Sequence, residues 1–117
     1  METVTYKKEV DVRYNADIAV FGSGIAGICA AIAAALRGAS VILIERFGMP
    51  GGNSTSGGVA SFCGNTVGQG EVFDMVVSGL SEFNAIEPLN REKSSRIFNH
   101  EILAVVLQEL VLRHDVR

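Results

Sequence analysis

The chain has 117 residues, of which 48% are hydrophobic and 20% are charged. This length and apolar content indicate one folded domain with a core, and they argue against disorder and against two ordinary domains. The net charge of −3 and the lack of a basic stripe make nucleic acid an unexpected partner. Two cysteines are too few for a disulfide framework, which favours a cytoplasmic protein.

An uncharged stretch over 18–36 is long enough to cross a bilayer if it forms one helix. Three glycines interrupt it after a short run of residues that favour a strand, so no membrane span is expected. The polar residues 1–16 carry both charge signs and do not resemble a secretory signal. They are predicted to form an N-terminal arm, with an alternating Val-Asp-Val segment as a possible short strand.

Residues 17–117 are predicted to form the folded domain, which opens with a strand, a helix and a second strand. The first strand is expected over 17–22, the helix over 25–37 and the second strand over 41–44. Gly38 stands where a glycine commonly ends a helix. The second strand is apolar at every position, which is typical of a parallel sheet covered on both faces. A right-handed crossover is therefore expected.

Residues 47–70 are rich in Gly, Ser, Thr and Asn and are predicted to be a long loop, of the kind that binds a ligand. Two amphipathic helices are predicted over 71–86, ended by a Glu-Pro pair, and over 99–114, capped by Asn99. Residues 115–117 are expected to begin a third strand. The apolar positions of the two helices are Val72, Phe73, Val76, Leu80 and Phe83, then Ile102, Leu103, Val106, Leu107 and Leu110.

The remaining reactive side chains are predicted to be structural or exposed. Cys29 is expected to be buried in the first helix, and Cys63 to be a small loop residue. His100 and His114 are too far apart along one helix to share a metal ion, so no metal site is predicted. One basic cluster is expected to form a solvated face: Arg91, Lys93 and Arg96.

Gly22, Gly24 and Gly27 form a G-x-G-x-x-G pattern at the predicted junction of strand and helix. The first glycine permits a tight turn, the second lets a pyrophosphate approach the backbone, and the third lets the helix pack against the strand. The free amide N–H groups at the helix start would hold the phosphate charge. Glu45, which follows the second strand, would accept hydrogen bonds from both hydroxyls of a ribose and disfavour a 2′-phosphate.

From Gly22 to Glu45 the order G-x-G-x-x-G-x-x-x-A-x6-G-x-x-V-x-x-x-E resembles the ADP-binding signature of flavoproteins with two dinucleotide-binding folds. The segment 49–58 is similar to the glycine-rich loop of the FAD-dependent oxidoreductase family. It is also similar, with a different glycine spacing, to the loop of fumarate reductase and succinate dehydrogenase flavoproteins. This loop contains no histidine, which argues against a covalent histidyl-flavin link.

The resemblance implies an α/β, Rossmann-like FAD-binding domain with a parallel sheet, present here as an incomplete N-terminal part. It implies non-covalent FAD and hydride transfer between a small-molecule substrate and flavin N5. The implied partners are that substrate and the remainder of the flavoprotein, and the resemblance identifies no catalytic residue. The implied cofactor-binding residues are Gly22, Ser23, Gly24, Ile25, Ala26, Gly27, Glu45, Arg46, Gly51, Gly52, Asn53, Ser54, Thr55 and Gly57.

Three alternatives stay open at this point. NAD-binding Rossmann domains share most of the pattern from Gly22 to Glu45, so that pattern does not separate FAD from NAD. The chain could also be a non-catalytic or truncated fragment that binds a dinucleotide. The glycine-rich loop, taken alone, is also compatible with a flexible linker.

Overall fold

The computed structural model of the chain describes residues 1–90, 92 and 95–117. Residues 1–15 are exposed, and the fully described stretch 1–16 contains no helix or strand, so the possible short strand at Val-Asp-Val is not formed. The elements that follow are β1 (Ile18–Phe21), α1 (Ile25–Ala35), β2 (Val41–Ile44), a short 3-10 turn (Gly52–Ser54), β3 (Ser61–Cys63), α2 (Glu71–Glu82), β4 (Ser95–Ile97) and α3 (His100–Arg113).

The strands β1 and β2 pair in parallel, with Ile18 opposite Val41 and Phe21 opposite Ile44. The helix α1 connects them and packs against the pair through side chains that favour burial. This is the predicted strand–helix–strand unit, and the fold is α/β and Rossmann-like, as expected. The residues that α1 and β2 bury completely or nearly so are Ile28, Ala31, Ile32 and Val41.

The backbone of Arg117 continues this sheet on the outer side of β2. Its N–H donates to the carbonyl oxygen of Val41 at 3.1 Å, and its own carbonyl accepts from the N–H of Leu43 at 2.6 Å. One residue bonded to two alternate residues of its neighbour is the pattern of a parallel ladder. Residues 115–117 form no assigned strand, so of the predicted third strand only the two hydrogen bonds of Arg117 to β2 are observed.

The helix α1 ends two residues earlier than predicted, at Ala35, and its end is closed by glycine. Gly38 has a φ of +86°. Its N–H donates to the carbonyl oxygen of Ala35 at 2.9 Å, and the N–H of Ala39 donates to that of Ala34 at 3.3 Å. A left-handed residue after the helix satisfies carbonyl groups that the last turn leaves unpaired, so Gly38 has the role that the sequence predicted.

The helix α2 ends at Glu82, and the predicted stop at the pair Glu87-Pro88 is wrong. Asn84 adopts a φ of +51°, which a short polar side chain tolerates. The N–H of Ala85 then donates to the carbonyl oxygen of Leu80 at 2.8 Å and closes the helix. Phe83, predicted as an apolar position of this helix, follows the last helical residue and is 51% exposed.

A second sheet lies in segments where no strand was predicted. The strands β3 and β4 pair antiparallel, with Phe62 opposite Arg96. The ring of Phe62 contacts those of Phe98 and Phe73, at centroid distances of 4.3 and 5.1 Å. The prediction of one long loop over 47–70 is therefore wrong, because strands of three residues are too short to show a period of two.

The side chain of Arg96 is buried, contrary to the predicted solvated face. It is 8% exposed. Its Nε and Nη2 atoms both donate to the carbonyl oxygen of Glu87, at 3.0 and 2.7 Å. The two N–H groups of one guanidinium thus satisfy a backbone acceptor beside β4. Arg91 and Lys93, the other members of the cluster, lie outside the described residues.

The helices α2 and α3 pack against each other at a glycine. A Cβ atom added to Gly79 would lie 2.6 Å from Cγ1 of Val106, so the helices approach more closely than an alanine would allow. At the start of α3 the side-chain oxygen of Asn99 accepts from the N–H groups of Glu101 and Ile102, which confirms the predicted cap. Among the helices of the described part of the chain, none has the length and apolarity to cross a membrane.

Candidate dinucleotide-binding site

The turn between β1 and α1 contains two glycines that the fold itself requires. Gly22 has a φ of +95°. Its N–H donates to the carbonyl oxygen of Ile44 at 2.8 Å, which continues the pairing of β1 with β2. A Cβ atom on Gly27 would lie 1.9 Å from the carbonyl oxygen of Gly22. Gly27 therefore lets α1 begin directly against the turn, as the third glycine of the pattern was predicted to do.

Gly24 differs from these two glycines because nothing in the folded chain needs it to lack a side chain. Its φ of −61° is open to any residue. A Cβ atom there would meet no atom within 4 Å. The space beside Gly24 opens onto the first turn of α1, where Ile25, Ala26 and Gly27 carry N–H groups that an α-helix leaves without intrahelical partners. The N–H groups at the start of α1 can therefore bind an anion that contacts the backbone at Gly24.

Glu45 follows β2 directly, and its carboxylate contacts the glycine turn. The N–H and the hydroxyl of Ser23 both donate to its Oε2 atom, at 2.7 and 2.5 Å. The N–H of Phe47 donates to the other oxygen, Oε1, at 2.9 Å. Hydrogen bonds from Ser23 and Phe47 therefore fix this carboxylate at the point where β1, β2 and α1 meet.

These hydrogen bonds stabilise the ionised form of Glu45. The side-chain hydrogen bond from Ser23 is the largest cause, followed by the backbone N–H groups of Phe47 and Ser23, and together they lower the pKa of Glu45 from 4.5 to about 2. A carboxylate that stays charged at neutral pH accepts hydrogen bonds and repels a nearby phosphate. This behaviour suits a residue that binds unmodified ribose hydroxyls.

The glycine-rich loop lies directly beside the glycine turn. The N–H of Gly51 donates to the carbonyl oxygen of Ser23 at 2.7 Å, and Gly51 and Gly24 form an isolated parallel bridge. A Cβ atom on Gly52 would lie 3.4 Å from Cα of Gly24. The two motifs that the sequence identified separately therefore form one continuous backbone surface.

Inside this loop, two predicted site residues hold the loop's own shape. The hydroxyl of Thr55 donates to the carbonyl oxygen of Pro50 at 2.6 Å, and Thr55 is 2% exposed. A Cβ atom on Gly57 would lie 2.6 Å from Cα of Asn53, so the turn needs a glycine there. Asn53 is exposed and Ser54 half-buried. Contact of these four residues with a cofactor stays a prediction.

A cavity of about 270 Å³ opens next to Glu45, and most of its walls were not predicted from the sequence. Gln108 and Val111 of α3 line it together with Ser23, Glu45 and Arg117. The exposed guanidinium of the predicted site residue Arg46 lies 5.4 Å from the ring centre of Phe47, which also borders the cavity. Residues of α3 could not be found from the sequence, since no local signal marks which helix face meets a distant strand end.

A larger opening of about 720 Å³ lies at the other end of the sheet, between the arm and the start of β2. Its walls include Asn15, Ser40 and Asp115. It contains none of the residues of the two glycine motifs. The smaller cavity beside Glu45 is the better candidate, because Ser23 of the glycine turn lines it.

Neither the cysteines nor the histidines line the cavity beside Glu45. Cys63 is exposed at the end of β3 and so is a strand residue, contrary to the predicted loop position. Cys29 is half-buried on α1, and burial raises the pKa of its thiol, which makes the thiolate scarce. Among the described residues, no three His, Cys, Asp or Glu side chains are placed to hold a metal ion.

Comparisons with known proteins agree with this arrangement. A 47-residue segment is 49% identical to digoxin reductase of Eggerthella lenta and covers 39% of this chain and 8% of that protein. The crystal structure of THI4 from Thermovibrio ammonificans superposes with a TM-score of 0.58 at 17% identity, over 86% of this chain and 36% of the THI4 chain. The chain thus spans a small part of the length of these proteins. The family model for FAD dependent oxidoreductases matches residues 17–117, and the chain belongs to that family.

Proposed function

We propose that this chain forms the part of a flavin-dependent oxidoreductase that holds the ADP half of non-covalently bound FAD. The observation that carries the proposal is the bridge between Gly24 and Gly51, which joins both glycine motifs into one backbone surface. An extended dinucleotide needs such a surface, because its pyrophosphate and its neighbouring groups must be held together. We assign residues 17–117 to this FAD-binding part and 1–16 to an arm outside it.

In this proposal each part of the surface has one task. The N–H groups of 24–27 bind the pyrophosphate, helped by the positive end of the α1 dipole. Glu45 binds the ribose, and the cavity lined by Gln108 and Val111 holds the base. The loop residues 51–57 bind the part of the cofactor beyond the pyrophosphate. The lack of histidine in this loop supports non-covalent attachment.

When bound, FAD supplies flavin N5 as the atom that exchanges hydride with a small-molecule substrate. The residues of this chain bind and orient the cofactor, and we propose that the remainder of the flavoprotein supplies the substrate site and the catalytic acid or base. The two cysteines are free thiols in the structure. Free thiols are common in reducing compartments, which supports a cytoplasmic location.

The substitution Gly24→Ala tests the proposal, because the added methyl group meets no atom of the folded chain. We expect the melting temperature to stay nearly unchanged while the affinity for ADP and for FAD falls at least tenfold, since the methyl group occupies the place of the pyrophosphate. Ala33→Ser, on an exposed position of the same helix, is the control and should leave both affinities unchanged. Full affinity in the Gly24→Ala variant would remove the glycine turn from the site.

The same titration separates FAD from NAD. Purified chain is mixed with FAD, NAD or ADP, and bound flavin is followed by its absorbance at about 450 nm and by fluorescence quenching. We expect FAD and ADP to bind and NAD to bind more weakly. Tighter binding of NAD than of FAD would favour an NAD-binding Rossmann domain instead.

A further inference from the structure

The N-terminal arm alternates between apolar and polar side chains. Over 4–15 every even position except Lys8 is apolar, and every odd position is polar or charged. Such a period of two places the apolar side chains on one face of an extended chain. Each of these apolar side chains is at least 69% exposed, so the folded body does not cover this face. They are Val4, Tyr6, Val10, Val12 and Tyr14.

The backbone of the arm is also unpaired in the described part of the chain. No N–H or C=O group of 1–16 forms a hydrogen bond with another backbone group there. An extended segment whose two edges are unpaired is a template for pairing with a second extended segment. The arm therefore has an apolar face and two free edges, which are the features that a strand uses to bind another strand.

The charges of the arm are complementary to those of the same segment running antiparallel. When Glu9 lies opposite Glu9 of a second copy, Lys7 of each copy lies opposite Asp11 of the other. Two pairs of opposite charge then form on the polar face, and they flank the one pair of like charge at Glu9. Opposite charges that face each other across an antiparallel ladder stabilise it.

The apolar face is matched by the same register. Tyr6 lies opposite Val12 of the second copy, and Val4 lies opposite Tyr14. Each aromatic ring therefore faces a β-branched side chain, and pairs of this kind stabilise sheets. Each pair occurs twice, because the arrangement has two-fold symmetry and uses the same surface of both copies.

Neighbouring registers of the two arms are less favourable. Moving one arm by two residues in one direction places Lys7 opposite Arg13. Moving it by two residues in the other direction places Tyr14 opposite Glu2. A shift by one residue places apolar side chains opposite charged ones. The register centred on Glu9 is therefore the one that the sequence favours.

We propose that 4–14 pairs with the same segment of a second copy as an antiparallel two-stranded ribbon, with Glu9 of both copies at the two-fold axis. The ribbon forms only between chains, and the single chain accordingly has an exposed arm without a strand. The arm joins the body at Asn15 and Ala16, which line the opening at the other end of the sheet from Glu45. Pairing of the arms is therefore independent of the proposed function and should not require a nucleotide.

Cysteine cross-linking tests the register, because only the residue at the two-fold axis meets its own copy. All variants carry Cys63→Ser, which removes the exposed thiol of the body. At about 1 mM full chain, where weak pairing of two strands is populated, Glu9→Cys should form a disulfide-linked dimer with oxidised glutathione. Lys8→Cys is the matched control and should cross-link at least about tenfold more slowly, since its two thiols are offset along the ribbon.

Charge reversal tests the pairs on the polar face. Sedimentation equilibrium of the full chain should show a dimer whose dissociation constant rises at least about tenfold in Lys7→Glu and in Asp11→Lys, because each variant places like charges opposite each other twice. The double variant restores opposite charges and should return the dissociation constant to within about threefold of the original. Lys8→Glu changes the net charge as Lys7→Glu does, but its position faces Val10, so it should change the dissociation constant less than about threefold.

Three results would overturn the inference. They are a chain that stays monomeric at about 1 mM, cross-linking that is as fast at position 8 as at position 9, and a double charge variant that does not regain the dimer. The arm lies outside the folded body, so every variant should keep the melting temperature and the ADP affinity of the unmodified chain. A monomeric chain that binds ADP would overturn only the pairing of the arms, and a dimer that does not bind ADP would overturn only the proposed function.

Discussion

Ser40 donates both its N–H and its hydroxyl to a single carboxylate oxygen of Asp17, at 2.9 and 2.6 Å. The same arrangement recurs between Ser23 and Glu45 at the other end of the two parallel strands. Each pair joins the segment next to β1 to the segment next to β2, so both ends of this short ladder are fastened by side chains. The pair at the C-terminal end also adjoins the N-terminus of α1, where we propose that the nucleotide binds.

The charge of Glu45 is predicted to make stability depend on pH in the acid range. Its pKa is lowered from 4.5 to about 2 by folding. Its contribution to the free energy of unfolding is therefore complete above about pH 4.5 and is lost as the pH falls toward 2. In Glu45→Gln we expect a lower melting temperature at pH 7, because the amide nitrogen of glutamine cannot accept a hydrogen bond.

The difference between Glu45→Gln and the unmodified chain should shrink as the pH is lowered and should be smallest near pH 2. Thermal unfolding followed by circular dichroism across this range measures it. Asp17, whose pKa is also lowered by Ser40, is unchanged in this variant, so some acid sensitivity should persist. A constant difference between the two proteins at all pH values would contradict the prediction.

Gly27→Ala is predicted to destabilise the protein strongly. The new Cβ atom would lie 1.9 Å from the carbonyl oxygen of Gly22, and the backbone of α1 or of the turn must move to relieve the contact. We expect a loss of about 3 kcal/mol in the free energy of unfolding, measured by urea denaturation. Gly24→Ala, where the space is open, should cost less than about 1 kcal/mol. Equal losses would contradict the packing described here.

Gly79→Ala is predicted to disturb the contact between α2 and α3. Its Cβ atom would lie 2.6 Å from Cγ1 of Val106, and we expect a loss of about 1–3 kcal/mol from overpacking. Val106→Ala should remove the clash. The double variant is therefore expected to lose less free energy of unfolding than the two single variants together, by at least about 1 kcal/mol. Strict additivity in urea denaturation would show that the two residues do not touch.

Asn99→Ala is predicted to weaken the start of α3. The side-chain oxygen of Asn99 accepts from two N–H groups, those of Glu101 and Ile102, at 2.9 and 3.1 Å. Losing the cap should cost about 1 kcal/mol. Asn65→Ala is the control, because Asn65 accepts from one exposed N–H at 3.0 Å in a turn outside any helix. A larger loss in Asn65→Ala than in Asn99→Ala would contradict this account.

The sequence predicted those parts of the fold that have strong local signals. The glycine turn, the apolar strand over 41–44, the glycine after α1 and the cap at Asn99 each depend on conformational limits of single residues, and all are present. The predicted end of α2 was misplaced because the helix is ended by Asn84 in the left-handed region. In a sequence, asparagine is a weaker signal for the end of a helix than proline. The bridge between Gly51 and Gly24 was not predicted, because it depends on tertiary contacts.

Other parts of the molecule could not be predicted from local patterns. The buried position of Arg96 depends on a carbonyl acceptor nine positions earlier in the chain, at Glu87. The aromatic contact of Phe62 with Phe98 requires that two three-residue strands pair across a long separation. The place of Gln108 in the cavity beside Glu45 depends on how α3 docks, and an exposed glutamine on a helix carries no distinguishing signal.

The bridge between Gly24 and Gly51 has a consequence for protein engineering. The two motifs share a hydrogen bond and a backbone bridge, and Gly52 lies against Gly24, so neither backbone segment has its observed conformation independently of the other. A graft of the glycine turn alone onto another scaffold would lack the wall formed by the loop. Transplanting this site would require the whole stretch 18–58 to be moved as one cassette, with the spacing between both segments preserved.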